Sequence, residues 1–581
     1  MSAADRLRSL LGMNAMNGAS VRGDALGAAT AWALIVPECV AYAQIAGVPP
    51  QNAFYAAPVA LVVYVLVGRS RFLIIGATSA AAVLSGATVA DISSDPKQAV
   101  GLSAALAVIA GGVLLAAGLA RLGFVTNFLA EPALYGFLFG MALTIVVRQA
   151  AKIVGTSSGD GQFFPRLWTV LRQLPDWSLA SLAVGGAALV ALFALERYVP
   201  RLPASLVVLV VALVVSAAAE LKDHGVEVVG PIPAAVPVPH LPGIPAADWW
   251  HLAGGACGVA LVVFAEAFSI ASRFAREHGD EVDADREMAA VGAANICVGL
   301  FRGFTVSGSA SRSAAAEAAG ARSRLASLIA AVLILLTGAF LTPLFTDLPE
   351  PVLGAIVIVA VRGFLSTDQL RRYARADSAS MWVALTALFG VLLFDLLPGL
   401  LLAVALSLVL FIASASTIRV AVLGRLPGSR PNGKTSGLYG ETSGLYGETS
   451  GLYGETSRHP DAITTPGVLV ARPDGALFFG NCDRIRKDVL ALAAAAEPAP
   501  HTVVLDLGST YHLGVPVLDV LDELRDALDR RGCVLHLAEL RAAARGEFAR
   551  HPLAARLGPA AVHATVDDAL RAAADARPGQ E

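Results

Sequence analysis

Charge is what this chain has least of. Only 15% of its 581 residues are charged, 56% are hydrophobic, and the mean hydropathy is +0.64. A soluble globular chain carries about 25% charged residues, so a wholly aqueous fold is excluded and a bilayer is the expected solvent for most of the chain. Cysteine is scarce as well: Cys39, Cys257, Cys297, Cys482 and Cys533 are scattered, odd in number and without CxxC or histidine spacing. That pattern excludes a disulfide framework and a zinc site. The N-terminal stretch MSAADRLRSLLGMNAMNGASVRGD lacks the continuous apolar core and cleavage pattern of a signal peptide. Nucleophile–base triads, Walker loops and metal-ligand clusters are missing from the sequence too. No enzyme activity, cofactor, metal or nucleic-acid partner is expected.

What charge there is lies unevenly. It is sparse between Ala25 and Val420 and dense in the C-terminal part, which predicts a membrane domain and an aqueous one. The expected organisation is a cytoplasmic N-terminal segment over 1–24, a polytopic all-α transmembrane domain over 25–420, a flexible linker over 421–464, and a small α/β domain over 465–574. The linker contains three tandem copies of GLYGETS from residue 437 to 457. Glycine and small polar residues at that period build no core, and three short copies do not make a solenoid.

Fourteen apolar segments fall between residues 25 and 418. Crossing a bilayer takes about 20 residues, and the third and tenth, near 74–89 and 310–318, are too short or too polar to cross alone. Short, Gly- or Ser-interrupted segments at matching places in two halves point to a binding site between inverted repeats. Arginines near the ends of the domain place both termini on the cytoplasmic side. The region around Arg148, Lys152, Arg166 and Arg172 then lands outside; lying amid GTSSGDGQFFPRLW, it is expected to fold back on the protein.

Inside the apolar region a few polar residues stand out. Glu38 sits directly behind Pro37 in the first long apolar segment, where an acid is costly unless it faces a cavity or a partner; an arginine partner with a purely structural role is the plain alternative. Glu131, before a proline and near a segment end, reads as a packing or gating group. Glu266, in VVFAEAFSIASRFA, is a second site acid. The clearest anion feature is SGSASRSAAAEAAG from Ser307 to Gly320, where Ser309, Ala310, Ser311 and Arg312 open an Ala-rich half-helix. A helix N-terminus offers unpaired N–H donors and the positive end of the dipole. An opposed half-helix starts near Gly76, in GATSAAAVLSG, with Ala77, Thr78 and Ser79 at its first turn. Close helix packing by small residues explains the alanines but not Arg312.

These residues carry a resemblance. AYAQIAGVPP with the following FYAAPVALVVYVLVGRSR, the block FAREHGDEVDADREMAAVGAANICVGLFRGFTVSGSASRSA, the segment LPEPVLGAIVIVAVRG and the C-terminal domain together resemble a bacterial member of the sulfate permease (SulP) family, kin of the animal solute-carrier anion transporters and of prestin. The resemblance implies a seven-plus-seven inverted repeat of transmembrane segments, divided into core and gate. It also implies third and tenth half-helices that meet at the anion, and a homodimer. It maps substrate binding onto Glu38, Tyr42, Gly76 through Ser79, and the pair Ser311 and Arg312. Two departures matter. Gly76 is followed by Ala77 where many relatives have proline, and Glu38 stands where chloride-type relatives often carry glutamine. An acid beside an anion site repels the substrate unless protonated, so Glu38 is expected to be a proton-coupling group. Glu266 lies where some sodium-dependent members place a carboxylate, but Ile270 one turn on offers no oxygen, which favours protons over sodium.

The C-terminal part alternates strand and helix patterns: GALFFG, TVVLDLG and CVLHLAEL read as strands, CDRIRKDVLALAAAA and PVLDVLDELRDALDRR as amphipathic helices. It resembles the STAS (sulfate transporter and anti-sigma factor antagonist) domain of the same family. Gly514 and Val515 occupy the place of the phosphorylatable Asp-Ser pair of anti-sigma relatives, and Asp506 reads as a strand-end turn group. The expected function is proton-coupled symport of a small anion such as sulfate, bicarbonate or a dicarboxylate by an elevator-like cycle in a bacterial inner membrane. An anion exchanger or a chloride-type channel is the alternative. The expected partners are the anion, the proton, the lipid bilayer and a second copy of the chain.

Overall fold

The computed structural model describes residues 18–93, 95–124, 131–159, 161–199, 203–233, 237–394, 396–427 and 453–575. The chain divides into two compact units, Met1–Leu408 and Val409–Glu581.

The first unit is helical. Helices α1 (Gly18–Ile45) and α2 (Gln51–Val67) precede a two-residue strand, β1 (Ile75–Gly76), and a short helix, α3 (Ser79–Ala90). Then come α4 (Pro96–Leu119), α5 (Glu131–Ile153), α6 (Phe163–Arg172), α7 (Leu179–Tyr198) and α8 (Ala204–Ala218). The pattern recurs: α9 (Ala246–His278) and α10 (Ala284–Leu300) lead to strand β2 (Ser307–Gly308) and a second short helix, α11 (Ala310–Ala318). After it follow α12 (Leu325–Leu336), α13 (Glu350–Val361), α14 (Asp368–Ala376), α15 (Ser378–Phe394) and α16 (Leu396–Ser416). A helix stands at each of the fourteen candidate segments, and among the described residues eight helical stretches are long and apolar enough to cross a membrane. The segment expected to begin at residue 74 starts instead as strand, and its helix begins only at Ser79.

The basic region after α5 folds back as α6. Phe163, Leu167 and Trp177 pack with Val170 against Val147, Ala151 and Val154. The other face shows Phe164, Trp168 and Leu171 to the outside, as suits a helix lying in a membrane interface.

The helices form two packed sets. In one, α10 lies against α4 and α2, α9 against α4, and α12 and α11 against α1; in the other, α5 lies against α15 and α13, and α13 against α7. Without a hydrophobic drive between helices in lipid, close approach of backbones does the packing. The α4–α10 contact shows it: a Cβ on Gly111 would fall 2.6 Å from the carbonyl oxygen of Gly292, and one on Gly292 would fall 2.6 Å from the amide of Leu115.

The second unit holds a six-stranded sheet in the order β4-β3-β5-β6-β7-β8, with β3 (Val420–Arg425), β4 (Tyr453–Glu455), β5 (Val468–Pro473), β6 (Thr502–Asp506), β7 (Val534–Ala538) and β8 (Val562–His563). β5 through β8 run parallel, and β3 is antiparallel to both β4 and β5. Parallel strands need both faces covered, and the alternation along them provides for it. Leu469, Ala471, Val503 and Leu505 point to helices α17 (Cys482–Ala495) and α18 (Val515–Asp529). Val468, Val470 and Val504 point to α21 (Val566–Asp575) on the opposite face. Two shorter helices, α19 (Ala542–Phe548) and α20 (Pro552–Leu557), lie between β7 and β8.

Here the structure departs from the expected linker. Residues 421–425 belong to β3, and the third GLYGETS copy supplies β4, while the first two copies lie outside the described residues. The reason is Tyr453: its ring is buried with Ala421, Leu423 and Val566, and its hydroxyl meets Asp567. One aromatic side chain gives a glycine-rich repeat a core contact that its average composition hides.

His536 on β7 and His563 on β8 lie with Nδ1 and Nε2 2.9 Å apart and rings stacked. Burial pushes both below the usual 6.5; the neighbouring ring adds to this at His536, while Asp568 opposes it at His563. With folded-state values depressed, the unfolded chain takes up protons first, so stability is full above the unfolded value and falls as pH drops through it. Amide exchange in β7 and β8, corrected for its intrinsic pH dependence, is therefore expected to be faster at about pH 5.5 than at about pH 7.5. His563→Asn should flatten that difference.

Candidate anion site

The two short helices begin side by side. β1 and β2 pair antiparallel, Ile75 with Gly308 and Gly76 with Ser307, and α3 and α11 start immediately after them. The strand pair is extended by Ser309 N–H to the Ile74 carbonyl at 3.0 Å, while Ile74 N–H donates to Ser313 Oγ at 2.9 Å. Asn295 clamps the approach to β2 by accepting from the Val306 amide at 2.9 Å and donating to the Val306 carbonyl at 3.0 Å.

Each helix carries an N-cap hydroxyl, as its first turn requires. Thr78 caps α3 by accepting from the Ala81 amide at 3.3 Å, and its own hydroxyl donates to Glu266 Oε2 at 3.1 Å. Ser309 caps α11 by accepting from the Arg312 amide at 3.4 Å, with Ser311 Oγ 3.2 Å away. Ser79 and Ala77 are buried, whereas Ala310 and Ser311 are exposed.

Arg312 is the centre of the arrangement. Its side chain is only 1% exposed, yet it reaches from α11 across to the start of α3, where Nη2 donates to the Ala77 carbonyl at 2.7 Å. Glu38 Oε2 on α1 lies 3.5 Å from Nε. That is an ion pair without a hydrogen bond: Nε and Nη1 of Arg312 and Oε2 of Glu38 are buried and have no hydrogen-bond partner. Two unused guanidinium donors and two helix N-termini converge there, which is the chemistry an oxyanion needs. Tyr42, one turn after Glu38 on α1, is buried.

Residues 21–387 match the Sulfate permease family. The chain belongs to that family. Residues 459–569 match the STAS domain. Over 555 residues the permease is 32% identical to a probable sulfate transporter of Mycobacterium tuberculosis, covering 95% of each chain. Its fold is similar to that of the murine Solute Carrier 26 family member A9 anion transporter in the inward-facing state, with a TM-score of 0.86 at 21% identity over 99% of this chain and 96% of that one. It is also similar to the transmembrane domain of a cyanobacterium bicarbonate transporter, with a TM-score of 0.59 at 18% identity over 68% of this chain and 98% of that one. The permease is a multi-pass membrane transporter of anions, not an enzyme.

Contacts link Glu38, Ala77, Ser309, Ser311 and Arg312 to one another and Thr78 to Glu266, with Gly76 beneath the guanidinium; Ser79 and Ala310 are the first residues of α3 and α11, and Tyr42 lies one turn from Glu38. Glu131 is elsewhere, exposed at the first turn of α5. Sequence reasoning missed Ser313 and Asn295, the hydroxyl and amide that hold the strand pair; both sit in ordinary small or polar contexts, and only the fold assigns them partners. It also missed why residue 76 is glycine. A Cβ there would fall 2.7 Å from Arg312 Nη1, so the guanidinium lies over bare backbone. Because the obstructed atom is the tip of a side chain, Gly76→Ala should leave the permease folded while pushing Arg312 off the Ala77 carbonyl. Anion affinity, read by calorimetry, is expected to fall roughly tenfold with little change in unfolding temperature.

In the STAS domain Asp506 Oδ1 accepts from the Gly508 amide at 2.9 Å, closing the turn after β6. Burial raises its carboxyl above the usual range, opposed by that amide and by Arg472 and Arg541. Gly514 is the N-cap of α18, with Val515 as its first residue, so the helix start at this place carries no hydroxyl.

Proposed function

We propose that the permease is a proton-coupled symporter of a small oxyanion, sulfate above all, working by elevator-like alternating access. In this reading it is a homodimer in the bacterial inner membrane with its N-terminus and STAS domain in the cytoplasm. The observation that carries the reading is the ion pair of Glu38 with Arg312 at the meeting of two helix N-termini. Glu38 holds the place of a negative charge beside the arginine. A singly charged anion entering while Glu38 is ionised would be repelled by about 4 kcal/mol at 4 Å for an effective dielectric near 20, and sulfate, a dianion, by about 8 kcal/mol. Protonating Glu38 removes the repulsion and frees Arg312 for the anion, so anion and proton enter together. Release on the other side reverses both. The names of the relatives as sulfate transporters support sulfate as the first substrate to try.

Glu266 has a different part. Its carboxylate receives the Thr78 hydroxyl, which keeps the α3 cap aimed and leaves Glu38 as the acid facing Arg312. The test is uptake into proteoliposomes of sulfate, bicarbonate, chloride and C4-dicarboxylates, with an inward proton gradient imposed and then removed. Sulfate accumulation that requires the gradient is the expected result; flux indifferent to it would sink the symport and turn the reading to an exchanger or a channel.

A further inference from the structure

The end of α1 beyond the anion site is held by three polar residues from three helices. Lys152, in the last turn of α5, pairs with Glu350, the first residue of α13, at 3.2 Å. Their side chains are 28% and 23% exposed, so water reaches this ion pair. Gln44 of α1 inserts its amide into the pair: its Oε1 accepts from Lys152 Nζ at 2.7 Å, and its Nε2 donates to Glu350 Oε1 at 3.4 Å. The three side chains close a ring in which each touches the other two.

The ring lies on the seam of the fold. α5 and α13 pack together in one set of helices; α1 packs with α11 and α12 in the set that holds Arg312 and also lies directly against α13, so the seam runs between α1 and α13. Within the ring Gln44 is therefore the member that crosses between sets. It sits six residues after Glu38, about 9 Å farther along the helix axis, on the helix that presents the coupling acid. A glutamine suits a joint that has to open. Its amide satisfies a cation and an anion at once, yet it carries no charge of its own, and all three groups can be taken over by water when the two sets part.

We propose that Gln44, Lys152 and Glu350 form a latch that closes the seam between the two helix sets at the C-terminal end of α1, and that the latch breaks each time the anion site changes sides. Gln44 is a positioning residue for the transport step: it touches no substrate and acts by fixing where α1 stands relative to α5 and α13. This rests on the alternating-access reading above.

The test separates the latch from that reading by using a measurement that does not need transport. In full-length protein in nanodiscs, hydrogen exchange is followed in residues 42–48 and 346–353 for wild type, for Gln44→Leu, and for the paired exchange Gln44→Glu with Glu350→Gln. The pair moves the amide and the carboxylate around the same ammonium and conserves net charge. Gln44→Leu leaves the Lys152–Glu350 pair in place and is expected to speed exchange in both stretches by about fivefold, with the paired exchange restoring protection. Where sulfate uptake is measured on the same proteins, Gln44→Leu is expected to change turnover and leave sulfate affinity as it was. Exchange unchanged in Gln44→Leu overturns the latch, as does a folded paired variant no better protected than Gln44→Leu. If no anion tested is transported, the proposed function fails, but the exchange comparison still decides whether the seam is latched here.

Discussion

Arg312→Gln is expected to lower sulfate affinity by at least about 100-fold, the loss of two charge-assisted hydrogen bonds at roughly 1.5–3 kcal/mol each. Nε and Nη1 are the donors concerned, since Nη2 is already held by the Ala77 carbonyl. The same substitution removes the counter-charge of Glu38, and breaking a buried pair from one side costs about 3–5 kcal/mol. Lost binding could thus be confused with lost folding. The double variant Arg312→Gln with Glu38→Gln separates them, because two neutral side chains leave no charge uncompensated: its unfolding temperature should recover toward wild type while calorimetry still finds no sulfate binding. If the double variant binds sulfate as wild type does, the helix N-termini alone make the site and Arg312 is only a brace. Arg312→Lys should fall between, since a lysine keeps the charge but cannot both reach the Ala77 carbonyl and present two fixed donors.

What makes this site visible in the sequence is cost. An acid at Glu38 and an arginine at Arg312 inside apolar segments have no cheap explanation, and the small polar residues before Arg312 mark where a helix can begin. Helix positions were legible for a similar reason, since long apolar runs leave the backbone few other choices. Pairing was not. Nothing in the spacing of Glu38 and Arg312 shows that they lie 3.5 Å apart. Gly76 read as a helix-start glycine, whereas its lack of a side chain is what admits Arg312. Lys152 drew notice only as a charge on the wrong side of a topology rule; its partners Gln44 and Glu350 come from helices far off in the chain. The repeat at Tyr453 failed for the complementary reason, because averaging over a glycine-rich unit conceals the one residue that folds. Local cost is written in sequence; partnership across helices is a property of packing.

Glu38→Gln is expected to abolish gradient-driven accumulation while leaving the anion site able to bind. Glutamine keeps the shape of the side chain and removes its titration, so the charge of Glu38 no longer stands beside Arg312 at any pH. In wild type, sulfate affinity should strengthen as pH falls, because each protonation of Glu38 relieves the repulsion described above. The upper limit of that gain is set by the full interaction of a dianion with the carboxylate, about 8 kcal/mol or nearly six decades in affinity. In Glu38→Gln the affinity should already stand near the wild type's acid-side value at neutral pH and stay level across the titration. Uptake should then run only down the sulfate gradient and ignore an imposed proton gradient, whereas exchange of internal for external sulfate should persist. The decisive comparison is the ratio of internal to external sulfate at steady state with the proton gradient on. A ratio above one in wild type and equal to one in the variant fits a proton that travels through Glu38. The same elevated ratio in both would mean that the coupling proton binds elsewhere, with Glu266 the next acid to replace, since it bonds the α3 cap beside the arginine's carbonyl partner.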